Sequence, residues 1–203
     1  LKSRLFSRRG LEQFRALALT PVLGRQRDQL LRLLEQLGNQ VEELTAELEQ
    51  RAAADAEVAR LRTHPGVGLL TALALVHILG PVERFGSLRK VTAYVGLDPM
   101  ERSSAERKRY GGISKAGSPI LRQLLSEAVM IAIRFDPELG RFHGRLLRRK
   151  TPRQARTAAA RKLLIRCFIM RRDGIDYAEF VRRGRASQPA GPLNVVGPDV
   201  PVV

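Results

Sequence analysis

The sequence predicts an all-α protein, in which a long coiled-coil helix precedes a compact helical domain with a helix-hairpin-helix-like turn. Leucines recur at heptad spacing between residues 23 and 62, which is typical of a helix that packs along a partner helix. Beyond residue 63, apolar stretches of helical periodicity alternate with Pro and Gly, which end helices. Leu and Ala supply much of the apolar content, and both favour helices.

The charge is large and uneven. The 203 residues include 36 Lys and Arg against 20 Asp and Glu, for a formal net charge of +16. Residues 1–100 carry 14 basic and 11 acidic side chains, whereas residues 101–203 carry 22 and 9. A basic half of this strength indicates a polyanionic partner, usually nucleic acid. A membrane surface would require an apolar face with Trp or Phe. Aromatic residues make up only 5% of the chain and none is Trp, so we expect no membrane partner.

Taken in order, residues 1–22 form a basic lead-in that ends at Thr20-Pro21, because a residue before Pro disfavours the helical region. Residues 23–62 form the coiled-coil helix. Its apolar seam consists of Leu30, Leu34, Leu37, Val41, Leu44 and Leu48. The seam weakens at Arg51 and Asp55. The seam predicts that the helix packs against a partner helix, in the same chain or in a second copy. By itself it does not indicate a catalytic role.

A glycine turn follows at His64–Gly68, before an apolar helix from Leu69 to Leu79. This pattern is typical of a helix-hairpin-helix, in which backbone N–H groups near Gly66 and Gly68 contact a DNA phosphate. The alternative is a plain turn between two packed helices. His64 has no second ligand at metal spacing, so we expect a structural role for it.

The stretch from Gly96 to Leu125 is the candidate site. Ser103 and Ser104 lie in a predicted polar loop, before a helix that starts at Ser118-Pro119. The surrounding cations are Arg102, Arg107, Lys108, Arg109 and Lys115. A hydroxyl among fixed positive charges can bind and attack a phosphate. The alternative is that serines and glycines only form a loop.

Two basic helices are predicted nearer the C-terminus. The first carries Arg145, Arg148, Arg149 and Lys150, and the second runs from about Arg153 to Arg172. We expect the following side chains of the second helix to be solvated: Arg153, Arg156, Arg161, Lys162 and Arg166. Cations of one sign in this number favour phosphate contact. We assign that role to Arg153, Arg161 and Lys162. Residues 184–203 are rich in Gly, Pro and Val without periodicity and are predicted to be disordered.

Several motifs in order resemble a known family. They are Thr63–Gly68, Thr71–Ala74, Glu83–Phe85, Tyr94–Pro99, Ser103–Ala105, Gly112–Gly117 and Ala159–Leu163. Together they resemble the C-terminal transposase domain of the insertion-sequence 110/116/902 family of transposases. The resemblance gives residues 63–183 as this domain and residues 1–22 as the remnant of a missing N-terminal domain.

The resemblance implies a DNA recombinase directed by a structured guide RNA. An N-terminal ribonuclease-H-like domain would hold Mg²⁺ on acidic residues, and the C-terminal domain would carry a serine that becomes linked to DNA. The motif serine falls at Ser104, with Ser103 beside it. Many members have Gly after this pair, where the chain has Ala105, so the choice between the two serines stays open.

These expectations concern the whole protein. We expect no metal site and no cofactor in this chain, with Mg²⁺ in the acidic domain, so the chain alone should not cleave DNA. Partners are DNA, a guide RNA and a second copy bound through the coiled coil. The location is the bacterial cytoplasm, at the nucleoid. The alternative function is a non-enzymatic, basic, helical nucleic-acid-binding protein.

Overall fold

A computed structural model of the chain describes residues 6–104 and 107–186. Within these ranges helices predominate and the single sheet has two strands, which confirms the all-α class with one β-hairpin added. The chain divides into two compact units, Leu1–Arg51 and Ala52–Val203.

The first unit contains a short helix and most of a long one. Helix α1 (Arg8–Arg15) begins after Ser7, whose hydroxyl accepts a hydrogen bond from the amide of Gly10 at 3.1 Å. Helix α2 (Pro21–Ala53) starts at Pro21, where Thr20-Pro21 predicts a boundary. The apolar seam of α2 is exposed along most of its length, with Leu30 at 57%, Val41 at 62% and Leu44 at 60%.

The single helix expected over residues 23–62 is two helices. Helix α2 ends at Ala53, and α3 (Ala56–Arg62) begins after Asp55. The Asp55 carboxylate accepts hydrogen bonds from the amides of Glu57 at 2.8 Å and Val58 at 3.2 Å. An Asp that satisfies the free amides of a first turn stabilises a helix start. The break therefore coincides with the weakening of the seam at Asp55.

The second unit is organised around α8 (Pro152–Arg172), which contacts α3, α5, α6 and α7. The other helices of this unit are α4 (Leu69–Leu79), α5 (Leu88–Val95), α6 (Pro119–Phe135), α7 (Pro137–Leu147) and α9 (Tyr177–Ala186), with a 3₁₀ turn at Val82–Arg84. Ten side chains of α8 are buried, so it forms the centre of the core. Helix α9 extends to Ala186, so the first three residues of the predicted disordered tail are helical. The rest of the tail lies outside the described residues.

Helices α6, α7 and α8 start in the same way, with a polar cap followed by Pro. Ser118 accepts from the amide of Leu121 at 3.3 Å, and Asp136 accepts from the amide of Leu139 at 2.8 Å. Thr151 forms a capping box with Gln154. Pro suits the first helical position because its missing N–H would have no partner within the helix. These boundaries match the sequence prediction.

The predicted polar loop is a β-hairpin. Strand β1 (Pro99–Ser104) pairs antiparallel with β2 (Arg107–Ile113), and residues 105 and 106 lie outside the described residues. Neither strand shows the alternation of apolar and polar residues that identifies a half-buried strand. The hairpin therefore gives almost no periodic signal in the sequence.

Candidate nucleic-acid interface

The base of the hairpin is fixed to the helical core by a close backbone crossing. A Cβ atom at Gly117 would overlap the carbonyl oxygen of Tyr94 and lie 2.6 Å from the carbonyl carbon of Val95. Only glycine permits this approach, because it has no Cβ. The segment that leaves β2 therefore rests directly on the end of α5.

Hydrogen bonds reinforce this crossing. The Ser114 hydroxyl donates to Asp98 Oδ1 at 2.5 Å, and the Ser114 amide donates to the Asp98 carbonyl at 3.0 Å. From α6, the Arg122 guanidinium donates to the carbonyl oxygens of Val95 at 3.1 Å and Gly117 at 2.7 Å. The two ends of the hairpin are thus tied to each other and to α5 and α6.

The candidate serines lie at the opposite end of the hairpin from this base. In the strand register, Ser103 is the Cα partner of Lys108, and Ser104 is the partner of Arg107. Arg102 is paired with Arg109 in the same ladder. The backbone therefore brings both serines and four predicted cations to one end of one hairpin.

Lys115 lies apart from that end, in the segment after β2. Its side chain is exposed, and its φ of 56° is in the left-handed region that non-glycine residues seldom adopt. Such conformations concentrate at functional sites, where the surrounding structure holds them. Here the Lys115 amide donates to the carbonyl oxygen of Gly96 at 3.2 Å.

The glycine turn joins two helices in contact, α3 and α4. Gly66 has a φ of 84°, and a Cβ atom there would overlap the carbonyl oxygen of Ala128 and lie 2.8 Å from the amide nitrogen of Ala132. Close packing on α6 is thus a structural reason for this glycine. Gly68 is exposed in extended backbone before α4 and has open space around it.

The three cations predicted on α8 differ in their surroundings. Arg153 is exposed and Arg161 is half-buried. Lys162 pairs with Glu138 at 2.7 Å and lies 4.8 Å from the centre of the Phe142 ring, so its ammonium is engaged within the protein. These residues belong to α8, whereas the ties described above fix the hairpin to α5 and α6.

A larger group of cations lies where α7 ends and α8 begins. All six are exposed, and within the described ranges none is paired with a carboxylate. We call this group the basic junction; it consists of Arg145, Arg148, Arg149, Lys150, Arg153 and Arg156. The sequence indicates these basic helices, but only Arg153 of the group is assigned a binding role there. The high density of basic residues in this part of the sequence was the signal that could have identified the whole group.

The prediction that Arg166 is solvated is wrong. Its side chain is 3% exposed, contacts Asp136, and pairs with Glu138 at 2.7 Å. Burial alone would raise the pKa of Asp136, but the Leu139 amide and the Arg166 guanidinium hold this pKa below its usual value. Arg166 therefore joins α8 to the start of α7 and is not available to a phosphate.

His64 belongs to the same buried cluster. Its Nδ1 lies 2.9 Å from the Pro65 carbonyl, and its ring packs against Tyr177 with 4.6 Å between centres. Its Nε2 is buried without a hydrogen-bond partner in the described structure and lies 3.9 Å from Asp136 Oδ2. Burial lowers the pKa of His64 to about 4. The imidazole is therefore neutral at pH 7.

The described residues contain no group of three or more His, Cys, Asp or Glu side chains that could hold a metal ion. A two-metal catalytic site needs several convergent carboxylates, and this part of the chain does not supply them. No helix among the described residues is long and apolar enough to cross a membrane.

The fold and the site define a helical, strongly basic protein with a serine-bearing polar hairpin. Residues 58–144 match the model described as the Transposase IS116/IS110/IS902 family. The matched segment includes the glycine turn, the hairpin and α6. The resemblance found in the sequence is thereby confirmed.

Proteins of insertion elements from several bacteria are similar to this chain. The transposase for insertion sequence element IS1111A of Coxiella burnetii is 36% identical over 123 residues, which cover 59% of this chain and 33% of that protein. The transposase for insertion sequence element IS1328 of Yersinia enterocolitica is 33% identical over 142 residues, covering 66% and 42%. An insertion element IS110 protein of Streptomyces coelicolor is 30% identical over 145 residues, covering 66% and 36%. The chain thus spans less than half the length of these relatives.

Proposed function

We propose that this chain is the DNA-binding, serine-bearing part of a transposase that cuts and rejoins DNA strands. One observation carries the proposal. The backbone of the hairpin pairs Ser103 with Lys108 and Ser104 with Arg107, and the hairpin lies in the segment that matches a transposase family. A phosphodiester bound at this end of the hairpin would be close to both serine positions.

The proposed step is a transesterification. The serine Oγ forms a bond to phosphorus, the bond from phosphorus to one bridging oxygen of the DNA breaks, and that oxygen takes a proton. The serine proton passes to a base. Arg107 and Arg109 would stabilise the charge that develops on the non-bridging oxygens, whereas Lys115, which lies apart from the serine end, is not assigned to this step. Rejoining is the reverse attack by a DNA hydroxyl on the phosphoserine.

A serine hydroxyl is a weak nucleophile unless a base or a metal activates it. The described residues do not form a metal site, so no step in this chain is assigned to a metal ion. We propose that activation comes from the acidic, Mg²⁺-binding domain that the family resemblance implies. The chain alone would then bind DNA and form no covalent product.

The basic junction supports the DNA-binding part of the proposal. Six exposed cations, none paired with a carboxylate in the described part of the chain, form a surface that phosphates would neutralise with release of counterions. The first turn of α4, which follows Gly68, has no side-chain cap, so its amides offer a further phosphate contact. A structured guide RNA presents the same phosphate chemistry and is a proposed partner. With DNA as substrate, the protein would act at the bacterial nucleoid in the cytoplasm.

The test is covalent capture of DNA. This chain is assayed together with the acidic domain, on a nicked DNA that traps the cleaved strand, and adducts are detected after denaturation. We expect Ser104→Ala to abolish adducts while DNA affinity stays within about twofold, as expected for a group that acts only in the transition state. The matched variant Ser103→Ala should retain them. Adducts that persist in the double variant would refute the assignment to either serine.

The alternative is a non-enzymatic nucleic-acid-binding protein, which the exposed cations of the basic junction favour by themselves. The same assay separates the two functions. Salt-sensitive DNA binding without adducts, in the presence of an acidic domain shown to be folded, would favour the alternative.

We further propose that α2 pairs with α2 of a second copy. Its exposed seam has heptad spacing, which buries apolar side chains only against another helix. Leu37 lies on the seam and Leu33 beside it, and both are 50% exposed. Leu37→Glu should give monomers in analytical ultracentrifugation, whereas Leu33→Glu should remain dimeric. Dimers of both variants would refute this pairing.

A further inference from the structure

An open groove of about 710 Å³ lies between the end of α4, helix α5 and the start of α6. Its volume is within the range of ligand sites, about 300–1,000 Å³. The side chains that matter here are Arg84, Phe85, Lys90, Tyr94 and Ser118. The groove thus combines two cations, two aromatic rings and a helix N-terminus, and no role has been assigned to it above.

The aromatic wall is held in place from behind. Phe85 packs edge-on against Phe168 of the core, with 5.8 Å between ring centres, and edge-on against Tyr94 at 5.4 Å. The Tyr94 hydroxyl donates to the carbonyl oxygen of Ile78 at 3.3 Å. Tyr94 is 40% exposed. A rigid, exposed aromatic ring is a platform for a planar ligand.

A guanidinium completes the platform. Arg84 Cζ lies 4.8 Å from the centre of the Tyr94 ring and 5.1 Å from that of Phe85. Its Nη1 donates to the Leu79 carbonyl at 3.3 Å, which leaves further N–H donors on an exposed side chain. Nucleobases stack both on aromatic rings and on Arg guanidinium planes.

The other wall favours negative charge. Lys90 is exposed and lines the groove. Ser118 caps the 17-residue helix α6, whose N-terminal end faces the groove and carries the positive end of the helix dipole. A base on the aromatic wall would therefore have its phosphate between a lysine and a helix start.

We propose that this groove binds one unpaired nucleotide, with the base stacked on Tyr94 and Arg84 and the phosphate at Lys90. This proposal rests on the proposed function, because the unpaired nucleotide would belong to a nucleic-acid strand that the transposase keeps single-stranded. A paired base does not present its face, so the groove would select single strands. The glycine crossing at Tyr94 and Gly117 connects this groove to the base of the serine hairpin.

The test compares variants in fluorescence anisotropy with a labelled 20-nucleotide oligo(dT), its RNA counterpart oligo(U), and a DNA duplex. Tyr94→Leu removes the ring, and we expect oligo(dT) affinity to fall at least about fivefold, the lower limit for one base–aromatic stack. Tyr94→Phe keeps the ring and should bind as the wild type does. Phe135→Leu removes a ring that is 68% exposed elsewhere and should have no effect. Duplex affinity should be unchanged in all three variants.

Lys90 gives an independent readout. Lys90→Gln should lower the slope of log affinity against log salt by about 0.7 for a single strand, the value for one lost phosphate contact. Arg89→Gln makes the same charge change next to it on α5, outside the groove lining, and should leave this slope unchanged. Tyr94→Leu should lower affinity without changing the slope.

The outcomes separate this proposal from the proposed function. If Tyr94→Leu loses affinity for the DNA oligonucleotide, the RNA oligonucleotide or both, the result supports the groove proposal and shows which kind of strand the groove binds. Tyr94→Leu protein that is folded by circular dichroism and binds both oligonucleotides like the wild type overturns the groove proposal alone. A wild-type chain that binds no nucleic acid overturns both.

Discussion

The stability of the second unit should fall as the pH is lowered from 7 to 4, because of His64. Its ring is buried, its Nε2 has no hydrogen-bond partner among the residues that the structure describes, and burial lowers the pKa of His64 from 6.5 to about 4. Between pH 6.5 and about pH 4, the imidazole of the unfolded chain binds a proton that the imidazole of the folded chain does not bind. The folded state is therefore at its full stability above the unfolded pKa and loses stability as the pH falls towards 4.

The magnitude follows from the two pKa values. Each pH unit between them is worth about 1.4 kcal/mol, so going from pH 7 to pH 4 should remove about 3 kcal/mol from the free energy of unfolding. The carboxylate of Asp136 acts in a lower window. Since its folded pKa is below the usual value, its contribution is present above that value and is lost as the pH falls through the folded pKa.

The assays are urea unfolding at several pH values and NMR titration of the three histidines. His77→Gln and His143→Gln assign the His64 signal by elimination. A His64 signal that titrates near pH 6.5 in the folded protein would refute the reasoning, because it would require a solvated imidazole.

Three further predictions concern stability and are measured by urea unfolding at pH 7. Gly66→Ala should cost about 2 kcal/mol or more, since it combines a left-handed backbone with overlap on α6, whereas Gly68→Ala should cost less than about 1 kcal/mol; equal effects would contradict this packing. Asp136→Asn should cost about 3–5 kcal/mol because it removes the buried carboxylate that pairs with Arg166 and leaves only the exposed carboxylate of Glu138; a loss below about 1 kcal/mol would contradict the burial. Asp55→Ala should cost about 0.5–2 kcal/mol through loss of the helix cap; an unchanged midpoint would show that the cap contributes nothing.

The features that the sequence predicted well are local ones. Helix starts at Pro21, Pro119 and Pro152 follow from the fixed φ and missing N–H of proline, which act without reference to the rest of the fold. The seam of α2 follows from heptad spacing alone. Its end was misplaced because apolar spacing resumes in α3, and the Asp55 cap that separates the two helices was the overlooked signal.

The hairpin was not predicted, because polar residues occupy consecutive positions of its strands and therefore do not alternate with apolar ones. An isolated two-stranded hairpin is marginally stable in water, so this one depends on the tertiary ties at its base. Those ties join Asp98 to Ser114 and Arg122 to the end of α5. The bonded residues are too far apart in the sequence for a local pattern to connect them. The candidate residues were found from composition, but their arrangement in a ladder required the fold.

The burial of Arg166 had a partial signal in the sequence. It follows Leu163 by three positions and precedes Met170 by four, so it lies on the apolar face of α8. Its buried partner, Asp136, is 30 residues away, between α6 and α7. Arg171 behaves in the same way, with bonds to the carbonyl oxygens of Leu75 and Gly80. A cation on an apolar helix face indicates burial, but only the fold supplies its partner.

These buried arginines change what the net charge of the chain implies for DNA binding. Arg166 and Arg171 are neutralised inside the protein, so they contribute nothing to counterion release. The six cations of the basic junction would give a slope of log affinity against log salt of at most about −5 on duplex DNA, at 0.9 per phosphate. A steeper measured slope would therefore require phosphate contacts by cations outside the basic junction. The cations of the serine hairpin are the first candidates, because they are clustered in the sequence. Measurement of the slope with the junction cations replaced by Gln would show how many phosphates remain for the hairpin.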